Sequence, residues 1–221
     1  MHYLGLALYA EGKTDYYFLR PLLLRLCMDI CLRQATRSVE FNEEFIALDD
    51  PSHARGAARE TRIVEAARQA RGAWRIVFVH TDGANDPSRS RTQLAQPALD
   101  LLRQSCADDG IGVAVIPIKE TEAWALVDGD ALRQVFCTVL DDERLGVPPL
   151  GTIETLQDPK ARLNQVFLST NPPARSRRAG TSPWLQSLGE QVSLERLRQL
   201  PGFQALEAEL IGALRHLNIL H

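Results

Sequence analysis

Three pairs of carboxylates in this chain stand just beyond short apolar runs: Glu11 and Asp15 after Tyr3 to Tyr9, Asp82 and Asp86 after RIVFVH, and Glu120 and Glu122 after VAVIPIK. Carboxylates gathered at one point repel and raise each other's pKa unless a divalent cation is shared among them. All-oxygen ligation points to Mg2+ or Mn2+, whose usual work is phosphoryl chemistry. Each acid also has an ordinary reading. Asp82 and Asp86 lie in a Gly/Asn/Pro loop that favours Asx turns, and Asp15 suits the first turn of a helix. Three pairs at three strand ends favour a shared acidic site. The chain carries 22 arginines and only three lysines, and Lys13 and Lys119 fall inside these same segments, with Lys160 further on. Lysine is a compact point charge whose pKa can move, so these are candidate places where arginine would not serve.

The elements that must position these residues follow from periodicity. Tyr3 to Tyr9 reads as a buried strand ending at Glu11 and Gly12. Thr14 is placed to cap a helix reaching about Arg33, which Pro21 should kink or divide. Glu44 to Leu48 is an expected strand, and Ser52 to Arg71 an expected helix. Arg75 to His80 is the clearest strand, and it runs into the turn-forming cluster TDGANDPSRS. A helix from Gln93 to Cys106, a strand from Val113 to Ile118 and a helix from near Glu120 complete an alternating βα pattern. Such alternation implies an α/β fold with a mainly parallel sheet covered on both faces, whose ligands bind at the carboxyl ends of the strands.

After Asp130 the strand pattern stops. Ala131 to Leu140, Pro159 to Phe167, Leu194 to Leu200 and Gln204 to Leu217 read as helices, separated at GVPPLG and NPPARSRRAGTSP. The expected organisation is therefore an α/β core over 1–130 and a helical appendage over 131–221 that packs on it through a Leu-rich face.

Composition narrows the function classes. With 221 residues, 45% hydrophobic and 24% charged, the chain is of ordinary globular make-up. No apolar run reaches the roughly 18 residues a membrane span needs, and the N-terminus lacks a basic leader and cleavage site, so a cytoplasmic protein without a membrane partner is expected. The four cysteines form no CxxC pair, and free thiols without structural zinc are expected; Cys27 and Cys31 read as small apolar fillers. The net charge of -3 argues against a generally basic coat, leaving nucleic acid to local patches or bridging metal. His80 reads as a hydrogen-bonded, semi-buried histidine and Trp124 as core, while Arg175, Arg177 and Arg178 lie in a loop that either grips phosphate or is simply solvated.

EGKTD after the first strand, HTDGAND after a central one and KETEAWALVD after a later one resemble a bacterial family with a Toprim-like fold, catalogued as domain of unknown function 4276. DPKARLN and SLERLRQLPGFQALEAEL look like that family's helical tail, so the resemblance covers nearly the whole chain. It implies a Toprim core similar to that of topoisomerases, primases and nucleases of the overcoming-lysogenisation-defect family, where a Glu after the first strand and a later DxD hold divalent metal at the scissile phosphate. Carried over, Glu11 matches the first Glu, Asp15 the second acid and Asp82 the first Asp of DxD. The chain departs from the pattern at Ala84, and the next acid is Asp86, which would substitute if the loop bulges. Glu122 resembles the acid that completes the site, with Glu120 as second choice, and Lys160 the downstream lysine used near the phosphate.

The implied function is a metal-dependent phosphodiesterase, a nuclease acting on DNA or RNA, with Glu11 and Lys160 as catalytic residues. Family members often stand beside ATPase genes in phage-defence-like cassettes, which implies an ATPase protein partner. The alternative is a catalytically inactive Toprim-like subunit that binds an ATPase or nucleic acid. The broken DxD favours it, whereas a nucleotide-binding regulator lacks support because no GxGxxG or Walker loop is present.

Overall fold

The computed structural model describes residues 1–221 apart from Glu43 and Asn85, so the Asn of the TDGANDPSRS cluster lies outside the described residues. The first apolar run is divided at Gly5 into β1 (His2–Leu4) and β2 (Leu6–Tyr9). A Cβ on Gly5 would stand 2.1 Å from the carbonyl oxygen of Ala73, so only glycine fits where the chain steps over that backbone. The step sends β1 to pair with β3 (Val39–Phe41), a strand the sequence pattern did not reveal. Among the described residues the main sheet has four strands: β4 (Ile46–Ala47), β2, β5 (Ile76–His80) and β6 (Ile111–Val115), in the order β4-β2-β5-β6 and parallel throughout. Tyr9 lies opposite Val79, and His80 opposite Val115. The chain therefore leaves β2, β5 and β6 at one edge of the sheet.

The crossovers are α1 (Lys13–Gln34), α2 (Arg59–Gln69) and a continuous helical run made of α3 (Pro87–Ser90), a π-helical stretch over Arg91–Ala95, and α4 (Gln96–Ser105). After β6 come α5 (Thr121–Ala125), α6 (Gly129–Val135), α7 (Asp142–Leu145) and α8 (Pro159–Ser169). The chain ends with α9 (Ala174–Ala179), α10 (Leu185–Gln191), α11 (Leu194–Leu197) and α12 (Pro201–His216).

Several expectations are corrected. Of the two effects expected of Pro21, division does not occur: α1 runs through it. The helix is held on α10 at that point: a Cβ on Gly189 would sit 2.2 Å from the Phe18 carbonyl oxygen, and the Arg25 guanidinium donates to the carbonyls of Gly189 and Val192 at 3.0 and 2.9 Å. The residue that caps α1 is Gly12 rather than Thr14. The helix expected from Ser52 starts only at Arg59, because Gly56 at φ +86° turns the chain first. The helix expected from Gln93 already begins at Pro87, a residue suited to a first helical position and preceded by the Asp86 cap. The arginine-rich segment expected as a loop forms α9.

Strand alternation builds two cores. Leu4, Leu6, Leu8, Phe78, Val113 and Val115 face α1, α5 and the C-terminal helices. Ala7, Tyr9, Val77, Val79 and Ala114 face α2 and α4. The helices after Asp130 share the first core through Leu188, Phe203, Leu206, Leu210 and Leu214, and the Phe203 ring meets Trp124 edge-on at 5.3 Å. The outer edge of β6 is covered by α12, whose Glu209 accepts the Ala114 N–H at 2.9 Å and pairs with Arg91 at 2.6 Å. Such cover protects an edge strand from pairing with another chain. Among the described residues no helix is long and apolar enough to cross a membrane.

Candidate functional site

The three strand ends deliver their carboxylates into one cleft of about 200 Å³, lined by Glu11, Asp15, Asp82, Glu120, Glu122 and Lys160 together with Gly12 and Thr14. Glu11 follows β2 and is fixed from β5: the Thr81 hydroxyl donates to its Oε2 at 2.8 Å and the Asp82 N–H at 3.2 Å. Asp15, in the first turn of α1, accepts the Gly12 N–H at 3.0 Å. A Cβ on Gly12 would stand 2.8 Å from that same oxygen, so glycine lets the carboxylate close on the backbone.

Asp82 is set by a loop pairing. Gly83 and Ala84 donate to the carbonyls of Pro117 and Lys119 at 2.9 and 3.2 Å, which draws the loop after β5 against the one after β6. Ala84 and Lys119 both lie in the left-handed region, at φ +48° and +74°. Non-glycine residues are strained there, and such strain gathers at functional sites. Glu120 and Glu122 flank the start of α5. In the EAWALVD stretch, Ala123 to Val127 are buried, while Asp128 caps α6 and accepts the Ser193 N–H at 2.9 Å. Packing on both sides thus fixes Glu122 at the cleft. Lys160, in the first turn of α8, is exposed, and its backbone N–H donates to Glu120 Oε2 at 3.2 Å.

Beneath the acids lies His80, fully buried rather than semi-buried. Its Nδ1 accepts the Glu11 N–H at 3.3 Å, which leaves the proton on Nε2, 3.2 Å from the Thr121 hydroxyl and 3.5 Å from Asp82 Oδ1. Asp15 Oδ2 stands 3.9 Å from Nδ1. Burial raises the Asp15 carboxyl above its ordinary value, and the Asp82 charge adds to this. Burial pushes Glu122 up to about 7, with the charges of Asp15 and Glu120 adding. Asp82 Oδ1 is buried without a hydrogen-bond partner among the described residues. A buried carboxylate oxygen without a hydrogen-bond partner, in a partly desolvated cleft that gathers Glu11, Asp15, Asp82, Glu120 and Glu122, fits the chemistry of a hard divalent cation.

The cleft is not a finished ligand cage. Among the described residues no three His, Cys, Asp or Glu side chains are drawn close enough to hold a metal ion. Asp86 does not line the cleft: its carboxylate accepts the Arg89 N–H at 2.9 Å and caps α3, so it does not stand in for the acid that the resemblance would place at Ala84. Sequence reasoning missed Thr81 and Thr121 as partners of Glu11 and His80. Each hydroxyl stands directly before a cleft acid, which was the available signal. The cysteines are free, as expected, and burial pushes the Cys27 thiol well up. No family model, curated protein or solved structure matches the chain.

Proposed function

We propose that the protein is a divalent-metal-dependent phosphodiesterase of the Toprim type, a cytoplasmic nuclease that works with an ATPase partner in a phage-defence-like setting. The observation that carries this reading is the meeting of Glu11, Asp15, Asp82, Glu120, Glu122 and Lys160 in one cleft at the carboxyl edge of a parallel sheet. Glu11, Asp15, Asp82 and Glu122 would hold Mg2+ or Mn2+, with Glu120 beside them. When bound there, such an ion would supply charge neutralisation at the phosphate and activation of water. Thr81 and the Asp82 N–H hold the Glu11 carboxylate in place, and His80 anchors the Glu11 backbone from below. Lys160 brings a positive charge to the leaving oxygen, aided by the helix start from which it projects.

A second reading is an inactive subunit that binds an ATPase or nucleic acid. Ala84 in place of an acid and the Asp86 side chain committed to capping α3 favour it. One experiment separates the two: supercoiled plasmid, single-stranded DNA and RNA are incubated with the protein in Mg2+ or Mn2+, with EDTA and Glu11→Ala as controls. Metal-dependent cleavage lost in Glu11→Ala supports the first reading. Retained binding with no cleavage of any substrate supports the second.

A further inference from the structure

We propose that the larger cleft beside the acidic one, between the start of α1 and the end of β4, takes the unstacked base of the nucleotide next to the cleaved phosphate, so that the substrate strand is single-stranded where it crosses the protein. This rests on the phosphodiesterase reading and adds the substrate class to it.

The cleft is about 450 Å³, within the roughly 300–1,000 Å³ typical of small-molecule sites. Glu11 and Gly12 line both clefts, so they form one path across the carboxyl edge of the sheet. The added cleft is aromatic. Tyr16 and Tyr17 project into it from α1, their rings 6.5 Å apart and inclined at 72°. Tyr16 is pinned by its hydroxyl, which donates to the Phe45 carbonyl at 3.0 Å. Tyr17 is 52% exposed, a large ring left at the lip. A base stacked on that ring would cover it, and every base has a face that can do so.

Charge decides between base and backbone as the occupant. Asp49 and Asp50 stand on the wall opposite the tyrosines, and Asp50 already accepts the Tyr9 hydroxyl at 2.6 Å and pairs with Arg62. Carboxylates repel a phosphate and accept the N–H groups of a base edge. The cation of the cleft, Lys13, lies one helical turn before Tyr17 and therefore on the same flank of α1. It meets the phosphate that joins the stacked nucleotide to the acidic cleft. A base held in this way cannot remain paired in a duplex, which is the reason for the single-strand requirement.

The test is fluorescence anisotropy of a labelled single-stranded oligonucleotide and of the matching blunt duplex, in EDTA and in calcium, with wild type, Tyr17→Ala and Tyr17→Phe. Tyr17→Ala should weaken single-strand binding about 5- to 160-fold, the range of one base–aromatic stack, while Tyr17→Phe binds nearly as wild type and weaker duplex binding is unaffected. Tyr17 carries an exposed ring, and an unchanged melting temperature in both variants confirms that folding is not the cause. Undiminished single-strand binding by Tyr17→Ala, an equal loss on duplex, or no single-strand binding by wild type would each overturn the proposal. Metal-dependent cleavage that survives alongside any of these leaves the phosphodiesterase reading standing without the base cleft. Tyr17-dependent binding with no cleavage of any substrate leaves the base cleft standing and removes the phosphodiesterase.

Discussion

The backbone N–H of Glu11 donates to Nδ1 of His80 at 3.3 Å, across a sequence separation of 69 residues. The bond ties the turn after β2 to the end of β5 beneath the acids, and it sets the tautomer whose Nε2 proton faces Thr121 and Asp82. The histidine is therefore a positioning residue for the cleft.

His80→Phe should fill the space but leave the Glu11 N–H without its acceptor. A polar group left unpaired costs about 1–3 kcal/mol, so a loss of that size is expected. Urea unfolding checks this. A variant as stable as wild type would show that the buried ring contributes only volume.

Divalent metal should stabilise the protein, and Asp82→Asn should remove most of that effect. An ion that binds only the folded chain adds about 2.7 kcal/mol at a hundredfold excess over Kd, a shift of a few degrees for a chain of this size. Removing one charge from a repelling group should leave metal-free Asp82→Asn melting at or slightly above metal-free wild type. Thermal melts with and without millimolar Mg2+ or Mn2+ decide it: a wild type indifferent to both ions, with a destabilised Asp82→Asn, would return Asp82 to the role of a turn residue.

Stability without metal should fall as pH rises, because of Glu122. Its carboxyl is 4.5 ordinarily and about 7 when folded, raised by burial and by Asp15 and Glu120. The folded state thus keeps a proton that the unfolded chain gives up. The contribution is fully present below pH 4.5 and is lost as pH rises through 7, on the order of 3 kcal/mol in all. The stability of wild type minus that of Glu122→Gln, followed from pH 4.5 to 8, should decline by about that amount. A flat difference would show that Glu122 is hydrated in solution.

The parallel sheet and the convergence of Glu11, Asp15, Asp82, Glu120 and Glu122 were legible because each strand is a short apolar run that ends in a turn or an acid. β3 was not, since three residues carry no period and its partner β1 is reached only through the step at Gly5. Asp86 read as a ligand because spacing places it near Asp82. What decides its direction is the helix that begins at Pro87, whose free N–H groups compete for the carboxylate. The hydroxyls of Thr81 and Thr121 escaped notice because their partners lie 70 and 41 residues away. Contacts at that separation leave no local periodicity to read.

The helices after Asp130 should prove necessary for the fold. Phe203, Leu206, Leu210 and Leu214 of α12 are buried in the same core as β6 and α5. Phe203 is fully buried against Trp124, two residues from Glu122, so the packing of the tail also seats a cleft acid. Phe203→Ala removes a ring from a filled site and should cost about 3–5 kcal/mol. Because Trp124 then loses its edge-on partner, the metal-induced rise in melting temperature should shrink as well, whereas a cavity remote from α5 would lower stability and leave that rise unchanged. A chain ended at Asp130 uncovers the part of that core which the later helices fill and should not fold. Urea unfolding of Phe203→Ala, and circular dichroism of the shortened chain, measure both effects. A shortened chain that stays folded at wild-type stability would show that residues 131–221 rest on the core without supporting it.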